Sequence, residues 1–446
     1  MHYVIIGGDA AGMSAAMEIV RNDPDAQITT LEKGNIYSYG QCGLPYVVGK
    51  KVFSTTDVIA RSVEMFRTKY KIDAKIGHEV TKVNPVNQTV TGNVLGSGES
   101  FEIKYDRLLV ATGASSVVPD WEGTQLDGIH TFKTIPQTEA LIADLKEVEH
   151  VTIIGGGYIG LEMAENIKEI GKEVRIIQRG EQLMPILDPE MADMLHQKAK
   201  EKQVELKLNE EVRSFTGKGR VQSVVTDKGT YSTDLVLIAI GIKPSTFFLK
   251  NTGIETLSNG AIIVNEYMET SIPYIYAAGD CATHYNRIKQ KNDYIPLGTT
   301  ANKQGRLAGF NMVGNKIPFK GIVGTSIMKF FELSIGRTGL SEKEVKELDI
   351  PFETSTLEAT DIAGYYPGKE LMTIKLLHRK EDQLLLGGQI VGGHGVDKRT
   401  DVLATALYHS MKLPDLLDLD LAYAPPFNGV WDPIQQLAKR NFDKNK

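Results

Sequence analysis

The chain has 446 residues, too many for one hydrophobic core, and domains of roughly 100–200 residues predict about three. A net charge of −6, with both signs mixed along the chain, excludes a general attraction to nucleic acid or to anionic membranes. No apolar run approaches the roughly 18 residues of a membrane span, and the opening MHYVIIGGDAAG lacks the basic start and cleavage site of a secretory signal. Two cysteines, Cys42 and Cys281, are too few for a disulfide scaffold, so a reducing cytoplasm is the expected compartment.

In chain order, the apolar run Tyr3–Gly7 ends in glycines and leads into the helix-like MSAAMEIVRN. A second run, Gln27–Leu31, stops at Glu32. This is the βαβ spacing of a nucleotide-binding half. A strand over Arg107–Ala111 ends at ATG. The opening pattern returns at Val151 as VTIIGGGYIGLEMAENIKEIGKEVRIIQR, a duplication of fold type. Leu235–Ile240 is predicted as a strand ending at a glycine, and IYAAGD closes another strand onto Asp280. From about Ser326 the pattern changes to short segments, MKFFELSIG, LMTIKLLH and QLLLGGQIV, which predict antiparallel strands. Helices are predicted over Val396–Met411 and Trp431–Asn441. The fold expected is α/β, two Rossmann-like dinucleotide-binding domains plus a C-terminal α+β domain.

The glycine motifs carry the chemistry. In GGDAAG, Gly7 permits a tight turn and Gly12 lets the helix pack on the strand, so that helix N-terminal amides face a pyrophosphate. Glu32, 20 residues after Gly12, stands where an acid holds a ribose hydroxyl. Asp9 departs from the pattern, occupying the usual second glycine position. Asp280, at a strand end after small residues, suits the ribityl chain of a flavin, so this half is assigned to FAD. Gly8, Ala11, Lys33, Thr112 and Gly113 complete its candidate contacts. GGGYIG keeps all three glycines, Gly155, Gly157 and Gly160, and marks a second dinucleotide site with Tyr158, Ile159 and Gly241 around it. The strand that follows ends in Gln178–Arg179 instead of an acid. A neutral Gln beside an Arg accepts a 2′-phosphate, which points to NADPH, with NADH as the alternative. Glu162, just inside the helix, is read as support near the nicotinamide. The expected partition is FAD-binding over 1–118 and 247–325, nicotinamide-binding over 119–246, and the α+β domain over 326–446.

The order FAD motif, ATG, NAD(P) motif, AIG, AAGD and α+β tail resembles the pyridine nucleotide–disulfide oxidoreductases over nearly the whole chain. Most disulfide reductases of that family carry a Cys-x4-Cys pair. Here Cys42 stands alone in SYGQCGLPY, with Val47 where the second cysteine would fall. A lone cysteine leaves a mixed disulfide with a small thiol, or a sulfenic acid as in NADH oxidases and peroxidases. The oxidase subgroup has a histidine in the first glycine loop, and Asp9–Ala11 contains none. SYGQCGLPY, GYYPG and LAYAPPF together resemble the coenzyme A-disulfide reductases.

That resemblance implies reduction of CoA disulfide through a Cys42–CoA mixed disulfide. A helix N-terminus or a cationic neighbour is expected to lower the Cys42 pKa. It also implies a homodimer joined by the C-terminal domain. Tyr365 and Tyr423 then reach the partner's cysteine, with Tyr366 the fallback for the first, and a phenol protonates the departing thiolate. The implied CoA contacts are Ser14, Glu18, Arg21, Ser38, Gln41, Asn302 and Trp431, with Lys69 and Lys71 either a phosphate patch or a solvated face. Cys281 is expected to be a packed small residue. None of the nine histidines pairs at a trusted metal-ligand spacing, so no metal is expected. The rival activities are oxidase or peroxidase, CoA-persulfide reduction, and a flavoprotein with a mainly binding role.

Overall fold

The computed structural model describes residues 1–444. The first unit is built on a parallel sheet ordered Ile275–Ala277, Arg107–Val110, His2–Ile6, Gln27–Leu31, Asp73–Lys75. A strand buried on both faces must be apolar throughout, and Tyr3, Val4, Ile5 and Ile6 are all buried. The helix Ala10–Asn22 leaves the end of this first strand. It packs against the helix Gly298–Met312 so closely that an added Cβ at Gly305 would lie 2.1 Å from the Ala11 carbonyl oxygen. These two helices hold one face of the sheet.

The second unit repeats the plan with a parallel sheet ordered Glu205–Leu208, Glu173–Gln178, His150–Ile154, Leu235–Ile238, Ile129–Thr131. The predicted run Leu235–Ile240 ends as a strand at Ile238, because the chain turns toward Gly241, whose φ is +125°. The chain passes between the two units through an antiparallel pair, Ala114–Ser116 against Ile242–Pro244. That pair lies just inside the boundaries read from the sequence.

The C-terminal unit is an antiparallel sheet ordered Ser326–Phe330, Leu333–Gly339, Leu385–Gly392, Leu371–Arg379, Phe352–Thr360. The segment MKFFELSIG proves to be a hairpin, because Phe331 takes a left-handed φ of +54° and reverses the chain. The edge strand Phe352–Thr360 was not anticipated from its mixed polar sequence.

The two predicted helices shift at their ends. Val396–Tyr408 stops before Met411, since Ser410 has a φ of +55°. The last helix runs Pro433–Lys444 instead of Trp431–Asn441. Asp432 caps it by accepting the Ile434 amide at 2.9 Å, and proline suits its first position.

The units are fastened by charged side chains. The Glu165 side chain, 1 % exposed, accepts from Lys51 of the first unit at 2.8 Å and from Lys329 of the third at 2.8 Å. Lys375, equally buried, meets Asp188 of the second unit at 2.9 Å and Glu342 of its own at 2.6 Å. Among the described residues no helix is long and apolar enough to cross a membrane.

Candidate active site

The two glycine loops have matching geometry. Gly7 has a φ of +116° and Gly155 a φ of +105°, conformations that L side chains rarely adopt. An added Cβ at Gly12 would lie 2.0 Å from the Gly7 oxygen, and one at Gly160 would lie 1.9 Å from the Gly155 oxygen. Each helix therefore sits directly on its strand. The Glu32 carboxylate accepts the Gly8 amide at 2.8 Å and the Gly34 amide at 2.7 Å, while the Gln178 carbonyl accepts the Gly156 amide at 3.0 Å. Residues at the same place in the two halves thus brace the same loop amide.

Asp9 is compatible with its position because it is the extended residue before the helix, with a φ of −113°. Gly157 occupies the equivalent place with a φ of −87°. Neither position demands glycine for its backbone. The Asp9 carboxylate turns to the next loop, accepting the Tyr39 amide at 3.2 Å and the Gln41 side-chain amide at 2.7 Å.

Both loops fit a dinucleotide. Neither helix Ala10–Asn22 nor Tyr158–Glu169 has a side-chain cap on its first amides, so those donors face outward for an anion. Open space lies in front of Gly113, Gly157 and Gly241, where an added Cβ would meet no atom within 4 Å. Thr112 and Gly113 follow the strand end beside Gly7, and Asp280 follows the strand Ile275–Ala277. Arg179 is exposed, while Ile159 and Tyr158 begin the second helix. The Tyr158 hydroxyl contacts Ser326 Oγ. Lys33 pairs at the surface with Glu79 at 2.6 Å.

Cys42 is exposed on the short turn Gln41–Gly43, directly before the helix Leu44–Val48. Lys133, which sequence reasoning missed, joins it there. Its ammonium donates to Gln41 Oε1 at 3.1 Å and stands 3.7 Å from Asp280. No sequence motif surrounds Lys133. It precedes a capping box, Thr134 with Gln137, that starts the helix Ile135–Asp144 and thereby sets where the lysine emerges.

Crowding around the Cys42 thiol pushes its pKa up, and the carboxylates of Glu162 and Asp280 add to this, against the lowering effect of Lys133. The anticipated cationic neighbour is present and acts in the expected direction, but crowding and the two acids outweigh it. Burial, with help from Glu165, pushes the Glu162 carboxyl up to about 7. Burial likewise raises Asp9 to about 6. Cys281 is fully enclosed, its thiol donating to the Val110 oxygen at 3.3 Å, and burial raises its pKa to about 11.

Other predicted residues fall into three groups. Ser14 Oγ donates to Asn302 Oδ1 at 2.9 Å, and Glu18 pairs with Arg21 at 2.6 Å on the same helix face. Arg306, absent from the sequence reading, approaches Glu18 at 3.5 Å. Ser38 has a φ of +49° and its amide donates to the Gly8 oxygen, which ties it to the first glycine loop. Lys69 and Lys71 are exposed, with the Lys69 ammonium 5.4 Å from the Tyr70 ring centre.

The tyrosines, 58 residues apart in sequence, come together: the hydroxyls of Tyr365 and Tyr423 lie 3.5 Å apart and both rings are exposed. Tyr366 is the less exposed neighbour, at 38 % against 76 % for Tyr365, which favours Tyr365 as the outward group. Trp431 lines a neighbouring cavity of about 530 Å³ with Gly364 and Arg440. Arg399, buried beneath, donates to the Asp361 oxygen at 2.8 Å and to Asn428 at 3.0 Å, and so joins the two tyrosine segments.

Comparison with known proteins matches residues 1–305 to the pyridine nucleotide-disulphide oxidoreductase profile and residues 325–433 to the dimerisation domain of the same name. The chain belongs to the pyridine nucleotide-disulphide oxidoreductase family. As in the rest of this family, FAD and a nicotinamide dinucleotide are its cofactors. The chain is 40 % identical over 440 residues to the NAD(P)H coenzyme A polysulfide/persulfide reductase of Pyrococcus horikoshii, covering 98 % of this chain and 97 % of that one. It is 31 % identical over 445 residues to the coenzyme A disulfide reductase of Staphylococcus haemolyticus, covering 99 % of each. The solved structure of the water-forming NADH oxidase of Lactobacillus brevis, bound to NADH, superposes with a TM-score of 0.96 at 30 % identity. That match covers 100 % of this chain and 98 % of that one. The chain is thus an NAD(P)H-dependent flavoprotein oxidoreductase that carries the family's dimerisation domain.

Proposed function

We propose that this oxidoreductase reduces coenzyme A disulfide to two CoA thiols with NADPH, using Cys42 as the exchanging sulfur. The observation that carries the reading is the isolation of Cys42. It is exposed beside Glu162 and Asp280, Val47 is buried where a second cysteine of a pair would stand, and Cys281 is enclosed. The chain has no second thiol for an internal disulfide, so the sulfur that Cys42 exchanges with must come from outside.

The Cys42 thiolate attacks one sulfur of CoA disulfide. The substrate S–S bond breaks, the Cys42–S–S–CoA bond forms, and the departing CoA thiolate takes a proton from a phenol of the Tyr365–Tyr423 pair. The hydrogen bond to Tyr423 raises the Tyr365 pKa, so that phenol carries its proton at neutral pH. FAD and the nicotinamide, when bound, supply the two electrons that break the mixed disulfide. The second CoA thiolate and the tyrosine phenolate then each take up a proton, one from solvent and one equivalent to the hydride hydrogen of NADPH, and Cys42 returns as thiolate. The sum is NADPH, a proton and CoA disulfide giving NADP⁺ and two CoA thiols.

Ser14, Glu18, Arg21, Ser38, Gln41, Lys69, Lys71, Asn302 and Trp431 are the proposed CoA contacts. The working form is a homodimer in the cytoplasm, each tyrosine pair serving the partner's Cys42. A second reading, reduction of a CoA persulfide at the same cysteine, is favoured by the higher identity to the Pyrococcus polysulfide/persulfide reductase.

Three measurements test these readings. Cys42→Ser should keep FAD and NADPH binding and lose CoA-disulfide turnover; retention of most of that turnover refutes the role of Cys42. Intact-mass analysis of the purified wild type should show a CoA adduct on Cys42, whereas a single added oxygen would favour oxidase chemistry. Comparing kcat/KM for CoA disulfide and CoA persulfide then ranks the two substrates.

A further inference from the structure

Lys133 lies outside every cofactor motif, yet among the described residues it is the cation whose charge acts on Cys42, reached through Gln41 on the same turn. It is held by two partners. Its ammonium donates to Gln41 Oε1 at 3.1 Å, one residue from the cysteine on the same turn, and lies 3.7 Å from the Asp280 carboxylate. Gln41 is itself oriented from the other side, because its Nε2 donates to Asp9 Oδ2 at 2.7 Å. An amide with an anion at its nitrogen and a cation at its oxygen has only one favourable orientation. The lysine is therefore fixed, with 15 % of its side chain exposed.

The surroundings of Cys42 otherwise disfavour a thiolate. Glu162 faces it from the helix Tyr158–Glu169 and Asp280 from the end of the strand Ile275–Ala277. Tyr46, on the helix Leu44–Val48, also senses the cysteine. Asp9 stands behind Gln41. Against two carboxylates and crowding, Lys133 is the opposing charge. An attacking thiol must be a thiolate, so a site with these acids needs a cation held close.

We propose that Lys133 is a positioning residue that supports the Cys42 thiolate, held in place by Gln41 and Asp280. The proposal rests on the reading that Cys42 is the reactive sulfur. A lysine that merely joined the first and second units would brace the loops and leave the thiol's titration unchanged.

The test is the pH profile of Cys42 alkylation by iodoacetamide in the FAD-loaded enzyme, after reduction with dithiothreitol and desalting, followed by mass spectrometry of the Cys42 peptide. Cys281 is enclosed and does not compete. Lys133→Gln keeps a donor for Gln41 Oε1 but removes the charge. Its profile should move up by about one pH unit, a roughly ten-fold loss of alkylation rate on the rising limb. Lys133→Arg, which keeps the charge, should stay close to wild type. A Lys133→Gln profile that superimposes on the wild type overturns the proposal. Should the neutral variant bind flavin weakly, both profiles are recorded with FAD in excess: a Lys133→Gln profile raised by about one unit supports the proposal, and one that superimposes on the wild type overturns it. Alkylation does not depend on CoA turnover. If Cys42→Ser keeps its turnover, the proposed reaction fails while the titration result stands; if the titration ignores Lys133, only this inference fails.

Discussion

Arg399 offers a test of how the C-terminal domain builds its part of the site. The side chain is 1 % exposed and pairs with Asp432, 2 % exposed, at 3.0 Å. It also donates to the carbonyl of Asp361 at 2.8 Å, to Asn428 at 3.0 Å and to the Gly395 oxygen at 3.1 Å. Asp361 begins the segment that carries Tyr365, and Asn428 follows the one that carries Tyr423. Arg399→Met leaves the Asp432 carboxylate buried without its cation, which costs about 3–5 kcal/mol. Asp432→Asn keeps the helix cap but removes the charge, so the double variant should lose less than the sum of the two single changes. The difference should be about 2 kcal/mol or more. Chemical denaturation of the holoenzyme, followed by tyrosine and tryptophan fluorescence, reads the cycle. Arg399→Met should also retain FAD while its CoA-disulfide turnover falls, because the glycine loop that fits the flavin dinucleotide belongs to the first unit and Arg399 to the third. Additivity within about 0.5 kcal/mol would refute the claim that this pair organises the tyrosine segments.

Replacing Gln178 with Glu and Arg179 with a neutral residue should swing selectivity toward NADH by roughly ten-fold or more, since a charged hydrogen bond contributes about 1.5–3 kcal/mol. Initial rates with both nucleotides measure this, and a wild type that already prefers NADH removes the premise. Cys42→Ser mixed with a Tyr365→Phe/Tyr423→Phe double variant should regain up to about a quarter of wild-type activity on random pairing, because one site of each heterodimer is intact. No recovery, with heterodimers demonstrated, refutes action across the interface. Glu162, raised to about 7, stabilises the folded chain fully below its unfolded pKa, and that contribution is lost as pH rises through the folded value. Glu162→Gln should therefore gain stability over wild type at pH 8 and not at pH 4; a difference that is constant with pH counts against the burial of this acid.

The two dinucleotide units were legible because their signals are local. A glycine turn between an apolar strand and a helix is dictated by backbone sterics, and Gly7 and Gly155 meet that demand with the same left-handed geometry. Tyr365 and Tyr423 were singled out only through resemblance, and their contact was not anticipated, since nothing between the two segments announces it. Lys133 and Arg399 were not legible at all. Each owes its place to long-range packing: Lys133 finds Gln41 across 92 residues, and Arg399 finds Asp361 across 38. Gln178 shows a subtler gap. Its sequence position suited phosphate recognition, but its carbonyl is occupied by the Gly156 amide, which leaves its NH₂ group and the exposed Arg179 to meet a ligand.

Those long-range contacts have a common consequence for catalysis. In the proposed reaction Cys42 comes from the first unit and Glu162 from the second, and the third unit presents its tyrosines to the partner's cysteine, so the composite site requires the units to keep their relative placement. Glu165 governs that placement. It lies three residues from Glu162 on the same helix, and it binds Lys51 nine residues from Cys42 and Lys329 at the start of the C-terminal sheet. It also accepts the Phe331 amide at 2.9 Å, at the left-handed turn that reverses the first hairpin of that sheet. These contacts hold the Glu165 pKa below the usual carboxylate range despite its burial. The carboxylate that fastens the three units thus stays charged at neutral pH, and its charge in turn helps keep Glu162 protonated toward neutrality. One helix therefore presents two acids with opposite tendencies. The charged one fixes the geometry of the site, and the one that titrates near neutrality sits beside the thiol.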